Sequence, residues 1–181
     1  MKTESTVLYV LRLALTLLAI TAVVAAALAG VNSITKPEIE KLTAQKTQAA
    51  IEAVLPGGGA LVEFPATALV SKVYASETGY AVEVTPGGFD NTITMMVGVD
   101  KEGNVLGIDI ISHTETAGLG AVADAATPAG VSFREQFAGK AGSVSVTKDG
   151  GEIEAITGAT ITSRAVCAGV NAALEVVAKR G

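Results

Sequence analysis

From Leu13 to Val31 the chain runs through 19 residues without a charge (LALTLLAITAVVAAALAGV). Coiled as a helix rising 1.5 Å per residue, this run spans about 28 Å, close to the hydrocarbon thickness of a bilayer. Arg12 directly precedes it, where a long stem reaches the headgroup layer. The pattern predicts a single N-terminal transmembrane helix. A secretory signal peptide competes with this reading, because Ala25–Ala29 offers small-residue cleavage positions, but the run exceeds the roughly 7–15 apolar residues of a signal. Lys2 and Arg12 lie before the run and Lys36, Lys41 and Lys46 after it, so counting charges leaves the orientation open.

Beyond it the periodicity changes. Lys36–Val54 reads as a helix, with Pro37 suited to its first turn and Ile39, Leu42, Ala49 and Val54 on an apolar side. The Pro56-Gly57-Gly58-Gly59 cluster stops it. Short β-like runs follow at Leu61–Phe64, Val70–Ala75 and Tyr80–Val84. Thr92–Val99 and Val105–Ser112 flank the loop Asp100–Asn104 and predict a hairpin. Ser143–Thr147 and Glu152–Ile156 predict another around Lys148–Gly151. A last helix is expected from about Thr162 to Lys179, with Val166, Val170, Ala173 and Val177 at helical spacing. Strands in hairpins with helices at the ends give an α+β class, mostly antiparallel. The expected division is an anchor segment 1–31, a linker helix 32–56 and a folded domain 57–181.

Composition narrows the chemistry. Thirteen basic residues against 18 acidic ones, a net charge of −5, argue against a nucleic-acid-binding surface. One Cys and one His leave no disulfide framework and no zinc or iron–sulfur site built by this chain alone, so no metal is expected. The mean hydropathy of +0.48 is high for a soluble domain and traces to the front of the chain.

Glu154–Ser163 (EAITGATITS) is the most informative segment. A strand-like run gives way to a Thr-Gly turn, and a helix then begins among the hydroxyls of Thr160, Thr162 and Ser163. Helix starts expose unpaired N–H groups and the positive end of the dipole, which favour phosphates, and Gly158 permits close approach. The plainer reading is a threonine N-cap after a glycine turn. Both readings stand on these residues alone.

Thr157-Gly158-Ala159-Thr160-x-Thr162-Ser163 resembles the flavinylation motif of FMN-binding domains in membrane redox complexes, a family that includes the G subunit of the Rnf complex and the C subunit of the Na+-translocating NADH:quinone reductase. In that family the last Thr of the core bears FMN through a phosphoester, which places the modification on Thr160. The family's Asp before the core corresponds to Glu154. His113-Thr114-Glu115-Thr116-Ala117-Gly118-Leu119-Gly120 is similar to the family's flavin-proximal His-x-Glu-Thr-Pro-Gly-Leu-Gly segment, with Ala117 in place of Pro. Phe133–Lys140 also resembles the stretch that follows it. The likeness covers nearly the whole chain, and the length fits the G branch better than the longer C subunits.

The resemblance implies a membrane-anchored electron-transfer subunit with covalently bound FMN, within an ion-translocating ferredoxin:NAD+ oxidoreductase. It implies a redox subunit without turnover alone, matured by a separate flavin transferase and associated with other membrane and peripheral subunits. The implied location is the cell membrane, single-pass, with the flavin domain on the outer side. Thr160 would carry the cofactor; Thr157, Gly158, Ala159, Thr162, His113, Glu115, Thr116, Gly118, Leu119 and Gly120 would surround it. The C subunit of the quinone reductase, or a noncatalytic anchored assembly module lacking flavin, are the alternatives.

Other signals weigh less. Gly118-x-Gly120-x-x-Ala123 fits a dinucleotide fingerprint formally, but Pro128 and Gly130 are expected to interrupt the helix that should follow. Cys167 is expected in the core, and Asp149 and Glu152 in a solvated turn.

Overall fold

The structure, a computed structural model, describes residues 2–64 and 67–180. Met1 and Gly181, outer limits of the expected division, lie outside them. The chain forms two compact units, Met1–Ala44 and Gln45–Gly181, and helix α1 (Lys2–Val54) runs through both. In the first unit α1 carries exposed apolar side chains on all sides, among them Leu8, Leu11, Leu15, Leu18, Val23 and Leu28. A window of this helix reaches a mean hydropathy of 2.4 with none of it buried, which fits a membrane span. Pro37 lies inside α1 rather than in a first turn, so the two expected helices are one, with a single N–H withheld from the ladder.

The second unit is built on a five-stranded antiparallel meander in the order β1 (Ala60–Val62), β2 (Val70–Ala75), β3 (Gly79–Val84), β4 (Thr94–Asp100), β5 (Val105–Ser112). With three α-helices among the described residues the class is α+β, as expected. Tight turns set the register. Ser76 closes β2–β3 by accepting the Thr78 and Gly79 N–H groups, and Asp100 closes β4–β5 by accepting the backbone and side-chain N–H of Asn104.

Alternation along the strands then sorts side chains onto two faces. Val82, Val84, Met95, Val97 and Val99 meet Val166, Val170, Ala173 and Val177 of α3 (Thr160–Ala178) in the main core. On the other face Ala81, Met96 and Ile111 meet Ala50, Ile51, Val54 and Leu55 from the end of α1. α3 is also apolar enough for a membrane by composition, but it is packed against the sheet.

One expectation holds in another form and one fails. Only a 3-10 turn (Gly120–Ala123) follows Gly118-x-Gly120, so the helix of a dinucleotide fingerprint is absent there. Pro128 opens a separate helix, α2 (Pro128–Glu135), where Thr127 Oγ1 accepts the Gly130 N–H and proline suits the first position. The hairpin expected at 143–156 is absent: a single parallel bridge joins Val146 to Ile153, and Thr147–Asp149 forms a 3-10 turn. The physical reason is that side-chain amides occupy the backbone groups a ladder would use. Asn171 bonds both the N–H and C=O of Val144, and Gln136 bonds both the N–H and C=O of Glu154.

Candidate functional site

A cavity of about 270 Å³ opens at the start of α3, lined by Glu115, Thr116, Leu119 and Gly120 from one side and Gly158–Thr162 from the other, with Phe89 and Lys148 completing it. Its N-terminal wall follows from local chemistry. Ala159 N–H bonds Ile156 C=O (2.9 Å), closing a turn whose third residue, Gly158, has φ +78°. The buried Ser163 hydroxyl locks that turn by accepting the Ile156 N–H (3.0 Å) and donating to Ala159 C=O (2.9 Å). The first i→i−4 bond of α3 is Ser163 N–H to Ala159 C=O, so the N–H groups of Thr160, Ile161 and Thr162 have no intrahelical acceptor. Thr160 is not an N-cap: Ala159 holds that position, and no side chain caps the helix. The threonine-cap reading therefore does not account for this hydroxyl.

The facing wall is fixed by Glu115, which is buried. Its Oε1 accepts the Phe89 N–H (2.8 Å) and the Asp90 N–H (3.3 Å), and its Oε2 accepts the Thr162 hydroxyl. A Cβ on Gly88 would stand 2.2 Å from Oε1, and one on Gly120 2.4 Å from Oε2. Two glycines, two amides and one hydroxyl thus form a socket for one carboxylate. The socket ties the loop between β3 and β4, the loop after β5 and the start of α3 together, though they are far apart in sequence.

Electrostatics complete the site. Lys148 Nζ donates to Thr160 Oγ1 (3.1 Å) from the 3-10 turn. Arg164, one helical turn beyond Thr160, grips Asp149 through Nε (2.7 Å) and a terminal nitrogen (2.6 Å). This pairing holds the Asp149 carboxyl below the usual carboxylate range and raises Arg164. Asp149 is therefore ion-paired rather than merely solvated, and Glu152 pairs with Lys140.

Eight of the expected residues line the cavity: Glu115, Thr116, Leu119, Gly120, Gly158, Ala159, Thr160 and Thr162. Thr157 and Gly118 instead line a neighbouring cleft of about 360 Å³ with Gln136, Glu154 and Phe133. His113 stands behind the socket, its Nδ1 accepting the Glu115 N–H (3.2 Å) and its Nε2 3.8 Å from Asp124. Phe89, Lys148 and Ile161 also line the cavity, and sequence reasoning misses all three. Ile161 follows the motif directly; Phe89 and Lys148 are brought in by loops that carry no motif.

The arrangement suits a phosphorylated ligand with an apolar portion. The helix start offers N–H groups without intrahelical acceptors, and one ammonium meets the Thr160 hydroxyl. Phe89, Leu119 and Ile161, exposed by 65%, 43% and 50%, give the rim an apolar character that a planar ring system can cover. The volume, about 270 Å³, falls just under the ~300–1,000 Å³ of pockets that enclose a whole drug-sized ligand, so the cavity has room for only part of such a ligand.

Comparison with known proteins agrees with this chemistry. Residues 88–175 match the FMN-binding domain family, a span that contains every residue of the cavity. The G subunit of the Na+-translocating ferredoxin:NAD+ oxidoreductase complex of Acetobacterium woodii is 34% identical over 92% of this chain and 91% of its own length. The G subunit of the ion-translocating oxidoreductase complex of Methanosarcina acetivorans is 30% identical over 90% of this chain and 91% of its own. The proton-translocating counterpart from Clostridium ljungdahlii is 42% identical over 58% of each. A likeness that runs nearly end to end, with the flavin-domain match lying over the cavity, places the chain in the G-subunit family of ion-translocating ferredoxin:NAD+ oxidoreductase (Rnf) complexes.

Proposed function

We propose that this chain is a membrane-anchored electron-transfer subunit of an ion-translocating ferredoxin:NAD+ oxidoreductase, carrying FMN covalently on Thr160. The observation that carries the reading is the Thr160 hydroxyl, set in the cavity at the start of α3 with an ammonium on its oxygen. In the proposed division, residues 1–31 anchor the chain, 32–56 connect and 57–181 hold the flavin. The anchor crosses the cell membrane once, the flavin domain lies on the outer side, and the other membrane and peripheral subunits of the complex are its partners.

When bound, FMN supplies one- and two-electron transfer. The chain holds and orients it. Thr160 Oγ would take the flavin-bearing phosphoryl group of flavin adenine dinucleotide under a separate flavin transferase, with one Oγ–P bond formed, the pyrophosphate P–O bond broken, AMP released, the hydroxyl proton passed to water and no electrons exchanged. The start of α3 stabilises the phosphodiester charge by about 0.3–1 kcal/mol through its dipole, with the free N–H groups adding hydrogen bonds. Esterification at the phosphate leaves the redox-active ring electronically unaltered, so Glu115, Thr116, Leu119, Gly120 and Phe89 are the groups placed to tune it. Thr162 orients Glu115, and Gly158 and Ala159 shape the turn. Thr157, Gly118 and His113 support the site from outside the cavity. The tether keeps the ring at high effective concentration near its redox partners. Alone, the chain turns over no substrate.

Coexpression with a flavin transferase, followed by ultraviolet inspection of the denatured gel band, tests the reading. Fluorescence is expected in the wild type, lost in Thr160→Ala and kept in Thr157→Ala and Thr162→Ala. A dark wild-type band, beside a control domain that becomes fluorescent, would instead mark a flavin-free assembly module.

A further inference from the structure

Five hydroxyls surround the turn and the cavity, and only one of them bears a cation. Ser163 is fully buried and uses its hydroxyl both as donor, to Ala159 C=O, and as acceptor, from Ile156 N–H. Thr162 is 1% exposed and gives its hydrogen to Glu115. Thr157 is exposed and lines the neighbouring cleft. Thr116 lies on the facing loop, and Lys148 is the one basic residue among the described cavity residues. Thr160 alone accepts from that ammonium, which occupies a lone pair on Oγ1 and leaves the hydroxyl hydrogen free to depart.

Lys148 does not reach Thr160 by chance of a flexible stem. Its neighbour Asp149 is held by both ends of the Arg164 fork, and Arg164 lies four residues after Thr160, on the same side of α3. A planar guanidinium paired with two carboxylate oxygens fixes direction as well as distance. The pair cancels its own charges and leaves the Lys148 ammonium as the net cation beside Thr160.

Resting on the proposed flavin attachment, we infer that Lys148 is the residue that selects Thr160 as the esterified hydroxyl and then neutralises the phosphodiester, with Asp149 and Arg164 as its positioning pair. In the transfer from flavin adenine dinucleotide, the ammonium stabilises negative charge as it develops on Oγ during loss of the hydroxyl proton, and remains beside the phosphoryl oxygens once AMP has left. The selection is local: the Ser163 and Thr162 hydroxyls are consumed by hydrogen bonds, and the Lys148 ammonium donates to Thr160 rather than to Thr116 or Thr157.

The full chain is coproduced with a flavin transferase as wild type, Lys148→Gln, Lys148→Arg and Asp149→Asn, and flavin-bearing peptides are followed over time by site-resolved mass spectrometry. Incorporation at position 160 is expected to slow by at least about tenfold in Lys148→Gln, the size of a lost charged hydrogen bond. Lys148→Arg, which keeps the charge, is expected to stay within about threefold of wild type, with Asp149→Asn between the two. Lys148 is exposed, so thermal unfolding of the Gln variant should match wild type, which separates selection from folding. Wild-type rate and site occupancy in Lys148→Gln overturn the inference while leaving the attachment at Thr160 intact. Wild type modified at another residue, or unmodified beside a flavinylated control, overturns both.

Discussion

The cavity and its neighbouring cleft share the residues of one sequence motif but differ in chemistry. Thr160 and Thr157 are three residues apart, yet Thr160 enters the cavity with Glu115 and Lys148, whereas Thr157 enters the cleft with Glu154 and Gly118. On the cavity side the charged groups are held by partners from other parts of the chain: Glu115 by the loop at Phe89 and Asp90, Lys148 by Thr160, Asp149 by Arg164. On the cleft side the backbone of Glu154 is held by Gln136, while the Glu154 side chain is exposed. Pre-organisation, not motif membership, sets the Thr160 hydroxyl apart from its neighbour.

Paired substitutions sharpen this contrast. The largest effect is expected from glycines two residues apart. Gly120→Val puts carbon against the Glu115 carboxylate and the Thr162 hydroxyl, where even a Cβ would lie at 2.4 and 2.5 Å. It should destabilise by about 1–3 kcal/mol or more and abolish flavin incorporation. Gly118→Ala meets open space and strains only φ (+74°), so it should cost about 1 kcal/mol and leave incorporation intact. Thermal unfolding with flavin content distinguishes the two; equal losses would erase the contrast.

Next come the carboxylates. Glu115→Gln turns an NH2 toward a donor in a socket of three donors, and should lower stability by about 1–3 kcal/mol. Glu154→Gln, at an exposed side chain, should change it by less than about 0.5 kcal/mol. Denaturant titration measures both.

The smallest effect concerns a group that takes part in neither hollow. Burial, reinforced by the charge of Asp149, pushes the Cys167 thiol up to about 11. Below that pH the folded protein keeps it protonated, so the thiolate needed for alkylation is scarce at pH 8. Iodoacetamide should label it only after unfolding; rapid labelling of the native chain would show an open helix.

Legibility from sequence follows the range of the forces involved. β2 and β5 coincide with the expected Val70–Ala75 and Val105–Ser112, because alternation and β-branched residues act locally. α3 is visible from Val166, Val170, Ala173 and Val177, though its start lies two residues earlier than expected, at Thr160. α2 is hidden because Pro128 looks like a breaker until Thr127 is seen capping it. The failed hairpin at 143–156 looks regular in residue pattern, but Asn171 and Gln136, far along the chain, take its hydrogen bonds. Lys148 is invisible for the same reason: nothing in its own neighbourhood announces that Asp149 will be caught by Arg164.

The two amide clips carry a consequence for variation. Clipped at Val144 and Glu154, the span bearing the cavity lysine is stitched to the domain by side-chain amides, with Val146 and Ile153 set in the core between the stitches. The exposed turn Thr147–Gly150 between the stitches can change in sequence without sliding any strand of the meander past its neighbour. The residue facing the helix start can thus be exchanged while the scaffold stays as it is.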